Sequence, residues 1–269
     1  MGYARAFFLN FMKISILGSG SEGNATYIDL AGVPILVDAG FSGKTLMERF
    51  LQIEVVPSCL KALLVTHEHV DHIKGVGIIS RKLNLPIYIT PESYRVAQRQ
   101  LGKIAEGNLR FISGDFWIDG KVHVIPFDVN HDAARTVGFR LEGVNGKTVV
   151  VTTDVGSVTT DIAPFFRNAD VIVLESNYDF GMLQACDYPY ALKQRINSSH
   201  GHLSNEDSCR MIGEFYHSNL KKVYLAHVSK NSNTYEMALN TALQELNARC
   251  ISLDVEVAYQ HHPTPMFEL

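Results

Sequence analysis

The sequence predicts an α/β protein in which two β-sheets pack together and helices cover their outer sides. Three observations carry this. Short apolar runs rich in β-branched residues recur in both halves of the 269-residue chain, broken by glycine turns. Stretches with helical periodicity lie between them, so strands and helices alternate along the chain. The run Ala62–Thr66 is apolar without interruption, as a strand buried on both faces requires.

In the first half, strands are expected at Lys13–Leu17, Ala25–Leu30, Val33–Val37 and Ala62–Thr66, and helices at Lys44–Leu51 and Gly75–Leu83. Pro91 opens a further helix running to about Leu101, because a proline in the first turn costs no hydrogen bond. In the second half, strands are expected at Lys121–Pro126, Thr136–Glu142 and Lys147–Thr152, the last two joined through a hairpin turn at Gly143-Val144-Asn145-Gly146. Val171–Leu174 and Val223–Ala226 read as short buried strands, and helices are expected to close the chain. Ser204 with Asp207 forms a capping-box pattern, after which Cys209, Ile212, Phe215 and Tyr216 share one face; Leu239, Ala242, Leu243 and Leu246 do so in the last helix.

No linker, low-complexity segment or short repeat interrupts the pattern, so residues 12–269 read as one domain. The apolar stretch Ala6–Phe11 is too short for a signal-peptide core and has no small-residue cleavage site; residues 1–11 are expected to be an extension outside the fold, with Met12 as the natural start. No apolar run reaches membrane-spanning length. The four cysteines are scattered and form no C-x-x-C pair, which fits reduced thiols in a cytoplasmic protein. A net charge of −4 argues against a broad basic surface but leaves room for a local basic groove.

The densest chemistry follows the strand at Ala62–Thr66. His67-x-His69-x-Asp71-His72 places four potential metal ligands within six residues. Residues two apart in an extended segment point the same way, so His67 and His69 can share one metal, while Asp71 and His72 fall on the turn into the next helix and can reach a second. Imidazoles with a few carboxylates suit zinc or manganese better than calcium or magnesium. Ligand-type residues follow four other apolar strands: Asp38, His131, Asp154 and His227. Strand ends gathered at one edge of a two-sheet sandwich would bring them together.

This pattern resembles the metallo-β-lactamase superfamily from about residue 13 to 260: an Asp after an early strand, H-x-H-x-D-H, then single His, Asp and His. The resemblance implies an αβ/βα four-layer sandwich of two mixed sheets flanked by helices. It also implies two divalent metal ions, one held by His67, His69 and His131 and the other by Asp71, His72 and His227, with Asp154 bridging and Asp38 orienting a ligand histidine. Three further segments, Gly18–Asn24, Glu175–Asp179 with Tyr188–Ile196, and Gly201–Asn205 with Leu225–Asn233, are similar to the WalJ/YycJ-type proteins, a bacterial group of DNA exonucleases acting 5′ to 3′. Glu175 and His202 match in order and context the acid pair of tRNA 3′-processing nucleases, although the long arm with which those enzymes grip tRNA is absent. The implied activity is a phosphodiesterase in which Asp71 positions or deprotonates the attacking water and His202, held by Glu175, protonates the departing 3′-oxygen.

DNA is the substrate this resemblance implies. Ser19, Ser21 and Asn24 are candidate substrate contacts, since backbone amides in their glycine-rich segment can cradle a phosphate; Arg195 and Lys230 are candidates for the DNA backbone. Gly40–Thr45 imitates a nucleotide-binding loop, but Asp38 stands where that loop needs its first glycine, so no nucleotide cofactor is expected. Two other classes stay open: an ester or thioester hydrolase of lactonase or glyoxalase type, and a non-catalytic, metal-stabilised regulatory protein.

Overall fold

A computed structural model describes residues 11–157 and 161–269. Residues 1–10 of the expected N-terminal extension lie outside the described residues. The first sheet has seven strands in the order β14-β1-β2-β3-β4-β5-β6, where β1 is Met12–Gly18, β2 Ala25–Leu30, β3 Val33–Val37, β4 Ala62–Leu64, β5 Ile87–Ile89, β6 Leu109–Phe111 and β14 Phe267–Glu268. The second has seven in the order β13-β12-β11-β10-β9-β8-β7, with β7 Phe116–Ile118, β8 Val122–Val129, β9 Thr136–Gly143, β10 Thr148–Thr152, β11 Val171–Glu175, β12 Lys222–Ala226 and β13 Asp254–Val257. Both sheets are mixed. Antiparallel pairing joins β14, β1, β2 and β3, and parallel pairing continues through β4, β5 and β6. In the second sheet β7 to β10 are antiparallel and β10 to β13 parallel.

Side-chain alternation along these strands builds the layers. Val149 and Val151 of β10 and Val171 and Val173 of β11 enter a core between the sheets, where they meet Ile14, Ile35 and Phe139. Their neighbours Val150, Ile172 and Leu174 point outward to a second core, covered by α8 (Asn205–Phe215) and α9 (Tyr235–Ala248). Leu36, Leu63 and Ile87 point outward from the first sheet into a third core, under α1 (Gly43–Gln52), α3 (Val76–Leu83) and α4 (Pro91–Leu101). The result is helix, sheet, sheet, helix. Strands buried on both faces need apolar residues at every position, which is why they read as unbroken runs. Among the described residues, four short helices complete the α-helical set: α2 (Val70–Ile73), α5 (Ala163–Phe166), α6 (Phe180–Ala185) and α7 (Tyr190–Ile196).

Several local expectations match. The hairpin turn closes with Gly143 N donating to Lys147 O, and Gly146 takes a φ of 77° that favours glycine. Ser204 Oγ caps α8 by accepting from Asp207 N. Others need correction. β4 stops at Leu64, so His67 lies beyond the strand. Helices do not close the chain: β13 and β14 follow α9, and β14 pairs with β1 at the sheet edge. Tyr216 and Leu243 are exposed rather than buried, because α8 ends at Phe215 and Ala238, not Leu243, completes the packed face of α9.

The inter-sheet core holds the two halves of the site edge in place, and Phe139 and Tyr224 are its fully buried rings. Phe139→Ala is expected to cost about 3–5 kcal/mol. Urea unfolding followed by circular dichroism checks this, through a lower midpoint at unchanged slope.

Candidate metal centre

The C-terminal ends of the parallel strands β3, β4, β10, β11 and β12 feed the residues of one site. Asp38 directly follows β3, His227 directly follows β12, Glu175 ends β11, and Asp154 lies two residues beyond β10. The pairing of Glu175 with Ala226 in the β11–β12 ladder sets His227 beside it. Asp38 (φ 58°), Asp154 (φ 58°) and His227 (φ 55°) all adopt left-handed backbone conformations, which cost a non-glycine residue about 1–3 kcal/mol and persist where the surroundings enforce them. Here those surroundings are hydrogen bonds. Asp38 N donates to Leu64 O at 2.8 Å, and His227 N donates to Ser19 Oγ at 2.8 Å.

His67, His69 and His131 each offer a ring nitrogen within 4.8 Å of the others, and so do the donors of the set Asp71, His72 and His227. His67, His72 and Asp154 form a third set that joins the two. Hydrogen bonds decide which nitrogen each ring offers. His72 Nδ1 lies 2.8 Å from Asp38 Oδ2, His131 Nδ1 3.0 Å from Gly201 O and His227 Nδ1 2.8 Å from Glu175 Oε1. In all three Nδ1–H donates to a protein acceptor, so Nε2 is the nitrogen left to face the centre of the cluster. His67 Nε2 and Asp154 Oδ2 are buried and make no hydrogen bond, although His72 Nε2 approaches Asp154 Oδ2 to 3.0 Å. Buried polar atoms without partners are rare, and a cation between them satisfies both. The donor set fits divalent metal.

Charge reinforces this. Burial, helped by neighbouring His72, holds His67 well below the usual imidazole range; burial also lowers His131. Both rings are therefore neutral, the form that ligates. Burial opposes ionisation of Asp154 and Asp71, but the imidazoles of His227 and His72 outweigh it and hold both carboxyls well below the usual range. Burial likewise opposes the charge on His227, yet Asp154, Asp71 and Glu175 raise it to about 10, so a cation bound here would have to displace a proton from this ring.

Glu175 is fully buried and serves four donors. Its Oε2 accepts from Val155 N at 2.8 Å and Leu203 N at 3.1 Å, and its Oε1 lies 2.7 Å from His202 Nδ1 and 2.8 Å from His227 Nδ1. Burial acts to raise this carboxyl, but His202 and His227 pull it down to about 2. With Nδ1 donating to Glu175, His202 presents Nε2 to a cavity of about 290 Å³, which is also lined by Ser21, Asp71, Tyr188 and Arg195.

A family model described as the beta-lactamase superfamily domain matches residues 34–228. The chain belongs to the beta-lactamase superfamily. Within it, the Bacillus anthracis protein Exodeoxyribonuclease YycJ is 35% identical over 254 residues, 94% of this chain and 95% of that protein. Exodeoxyribonuclease WalJ of Streptococcus pneumoniae serotype 2 is 36% identical over 264 residues, 96% of this chain and 98% of that one. These similarities support the YycJ/WalJ branch. Among solved structures, the metallo-beta-lactamase fold protein YhfI of Bacillus subtilis superposes with a TM-score of 0.71 at 19% identity, covering 96% of this chain and 100% of that chain. It shares the fold.

This superfamily member arranges the candidate substrate residues unevenly. Ser21 and Arg195 line the cavity. Lys230 is exposed and paired with Glu22 at 2.6 Å. Ser19 and Asn24 are buried beneath the site: Ser19 Oγ donates to Asn24 Oδ1 at 2.8 Å, and Asn24 Nδ2 donates to Asp71 Oδ2 at 3.3 Å. Their amides form no open cradle. Ser19 N donates to Tyr259 O, Gly20 N to Asn24 Oδ1, Glu22 N to Gln260 Oε1, Gly23 N to Gly20 O and Asn24 N to Asp71 O. The glycine-rich segment is a turn closed by its own asparagine and by Gln260. Sequence reasoning missed Thr66, which donates through N and Oγ1 to Asp38, and the Gly201 carbonyl that aims His131. Thr66 adjoins His67 and was legible by position; a carbonyl leaves no sequence signal.

Asp38→Asn keeps an acceptor for Thr66 N but turns an amide toward His72 Nδ1, which favours the wrong tautomer. Metal affinity is expected to fall roughly 10–100-fold with the fold retained. Metal content by mass spectrometry after dialysis at graded free metal, alongside circular dichroism, checks this; wild-type affinity would remove the orienting role.

Proposed function

We propose that this protein is a two-metal phosphodiesterase that acts as a DNA exonuclease, working 5′ to 3′, built as one domain over residues 12–269 and resident in the cytoplasm. The observation that carries the reading is the His202–Glu175 pair, 2.7 Å apart and opening on the cavity that holds the ligand clusters. Hydrolysis of a phosphodiester expels an alkoxide, a poor leaving group that needs a proton. A thioester's thiolate leaves without such help, and a regulatory protein would need neither the acid nor an intact ligand set. The curated relatives named as exodeoxyribonucleases support the same choice.

In this reading His67, His69 and His131 would hold one cation and Asp71, His72 and His227 the other, with Asp154 within reach of both sets. Two divalent cations, zinc or manganese by ligand type, would supply hydroxide at neutral pH and neutralise the phosphate oxygens. The protein's own groups do the rest. The ionised Asp71 carboxylate orients the attacking water, whose proton passes to solvent. His202 holds a proton at Nε2 for the 3′-oxygen, so a new oxygen–phosphorus bond forms as the P–O3′ bond breaks and the leaving oxygen takes that proton. Glu175 steadies the ring through Nδ1. Arg195 binds a backbone phosphate, with Ser21 beside it on the cavity wall; Lys230 meets the DNA farther out.

Purified protein supplied with manganese or zinc is expected to release mononucleotides progressively from end-labelled duplex DNA carrying a 5′-phosphate, and Asp71→Ala is expected to release none. Absence of cleavage by protein carrying two metals per chain would shift the reading to an ester or thioester substrate. His202→Ala is expected to lower kcat roughly 10²–10⁴-fold with metal content intact. Unchanged turnover would remove His202 from the chemistry. Dialysis against a chelator is expected to abolish activity, and added manganese or zinc to restore it.

A further inference from the structure

One wall of the cavity carries chemistry that hydrolysis alone does not use. Tyr188 lines it half-buried, and its hydroxyl accepts a hydrogen bond from Asn231 Nδ2 at 2.7 Å. That bond fixes the ring by its edge, and among the described residues no other aromatic ring stacks on it. Beside it, α7 turns Leu192, Arg195 and Ile196 to the same cavity, spaced three and four apart on one helical face. Arg195 is anchored through Nε by Asp132, whose other oxygen lies 3.3 Å from His131 Nε2. A guanidinium held through Nε keeps both amino groups for a second acceptor with two adjacent oxygens, such as a phosphate. The wall thus presents an oriented aromatic ring, two aliphatic side chains and an oriented cation, next to the Nε2 of His202.

We infer that this wall is a subsite for a single unpaired nucleotide, with the base of the DNA terminus stacked on Tyr188 and a phosphate gripped by Arg195. The inference deepens the nuclease reading and rests on it. A cavity of about 290 Å³ lies at the small end of ligand pockets, about 300–1,000 Å³, and takes one nucleotide rather than a base pair. The terminal nucleotide of a duplex must therefore leave its partner to reach His202. Every base has a π-face, so stacking holds the terminus without reading its sequence, as an exonuclease acting on any sequence requires. Tyr178, by contrast, is buried with its hydroxyl bound to Asn197, and serves packing.

Stacking that is equal in the bound and transition states raises affinity without changing the chemical step. Two single-stranded substrates separate this role from a structural one: one with a normal 5′-terminal nucleotide and one whose terminal nucleotide is abasic. Wild-type protein is expected to show a KM roughly ten-fold lower for the base-bearing strand. Tyr188→Ala is expected to lose that preference, with kcat and metal content unchanged, and Tyr188→Phe to keep most of it. A preference that survives in Tyr188→Ala, or an equal slowing of both substrates, would overturn the inference. A second measurement is independent of turnover: the fluorescence of a 5′-terminal 2-aminopurine is expected to be quenched on binding to wild type and not to Tyr188→Ala. Equal quenching, or none, counts against Tyr188. If wild-type protein cleaves no DNA at all, the nuclease reading fails by itself, while the fluorescence result still decides whether this ring stacks a base.

Discussion

The site depends on two buried carboxylates that each tie backbone to imidazole. Asp38 accepts from Thr66 N through one oxygen and from His72 Nδ1 through the other. Glu175 does the same with Val155 N and Leu203 N on one side and His227 and His202 on the other. A buried carboxylate without partners would cost several kcal/mol, so these charges are tolerable only because every oxygen is engaged. The same bonds fix ring tautomers. The feature that makes the charge bearable in the core is also the one that aims Nε2 of His72 and His227 inward.

This arrangement needs a rigid frame, because removing or shifting one partner leaves the other charge buried and alone. The frame is the pair of sheets. β10, β11 and β12 run parallel with register fixed by apolar side chains on both faces, so a slip of one residue would turn Val149, Val151, Val171 and Val173 out of the inter-sheet core. Three left-handed residues at strand ends add local cost, and the surrounding cores supply the stability that permits it.

Much of this was legible in the sequence, for identifiable reasons. His67, His69, Asp71 and His72 are local, so their spacing alone reveals a ligand cluster. Asp38, His131, Asp154 and His227 are distant from one another, yet each follows an apolar strand, and the sandwich geometry then gathers them. Glu175 and His202 came only from the family resemblance, since a Glu ending a strand and a His before a helix are individually ordinary. The positions of Ser19 and Asn24 were misread: a glycine-rich segment looks the same whether its amides are free or used, and here Gln260, 238 residues from Glu22, helps decide that they are used. β13 and β14 escaped because one is short and polar and the other has two residues whose partner, β1, lies at the far end of the chain.

The shared oxygen of Glu175 couples a candidate metal ligand to the candidate acid. His227 Nδ1 and His202 Nδ1 converge on the same Oε1, at 2.8 Å and 2.7 Å. One of these rings points Nε2 toward Asp71 and the ligand cluster, and the other points it toward the cavity. Any movement of that carboxylate therefore turns a candidate ligand and the candidate acid together. The relative position of that ligand and that acid is tied to one buried side chain at the end of β11, whose own place is fixed by its pairing with β12. In-line displacement at phosphorus demands that geometry, since attack and departure occur on opposite sides of one atom. Hydrolysis at a flat carbonyl carbon makes no such demand, and this is the physical reason the arrangement favours a phosphodiester.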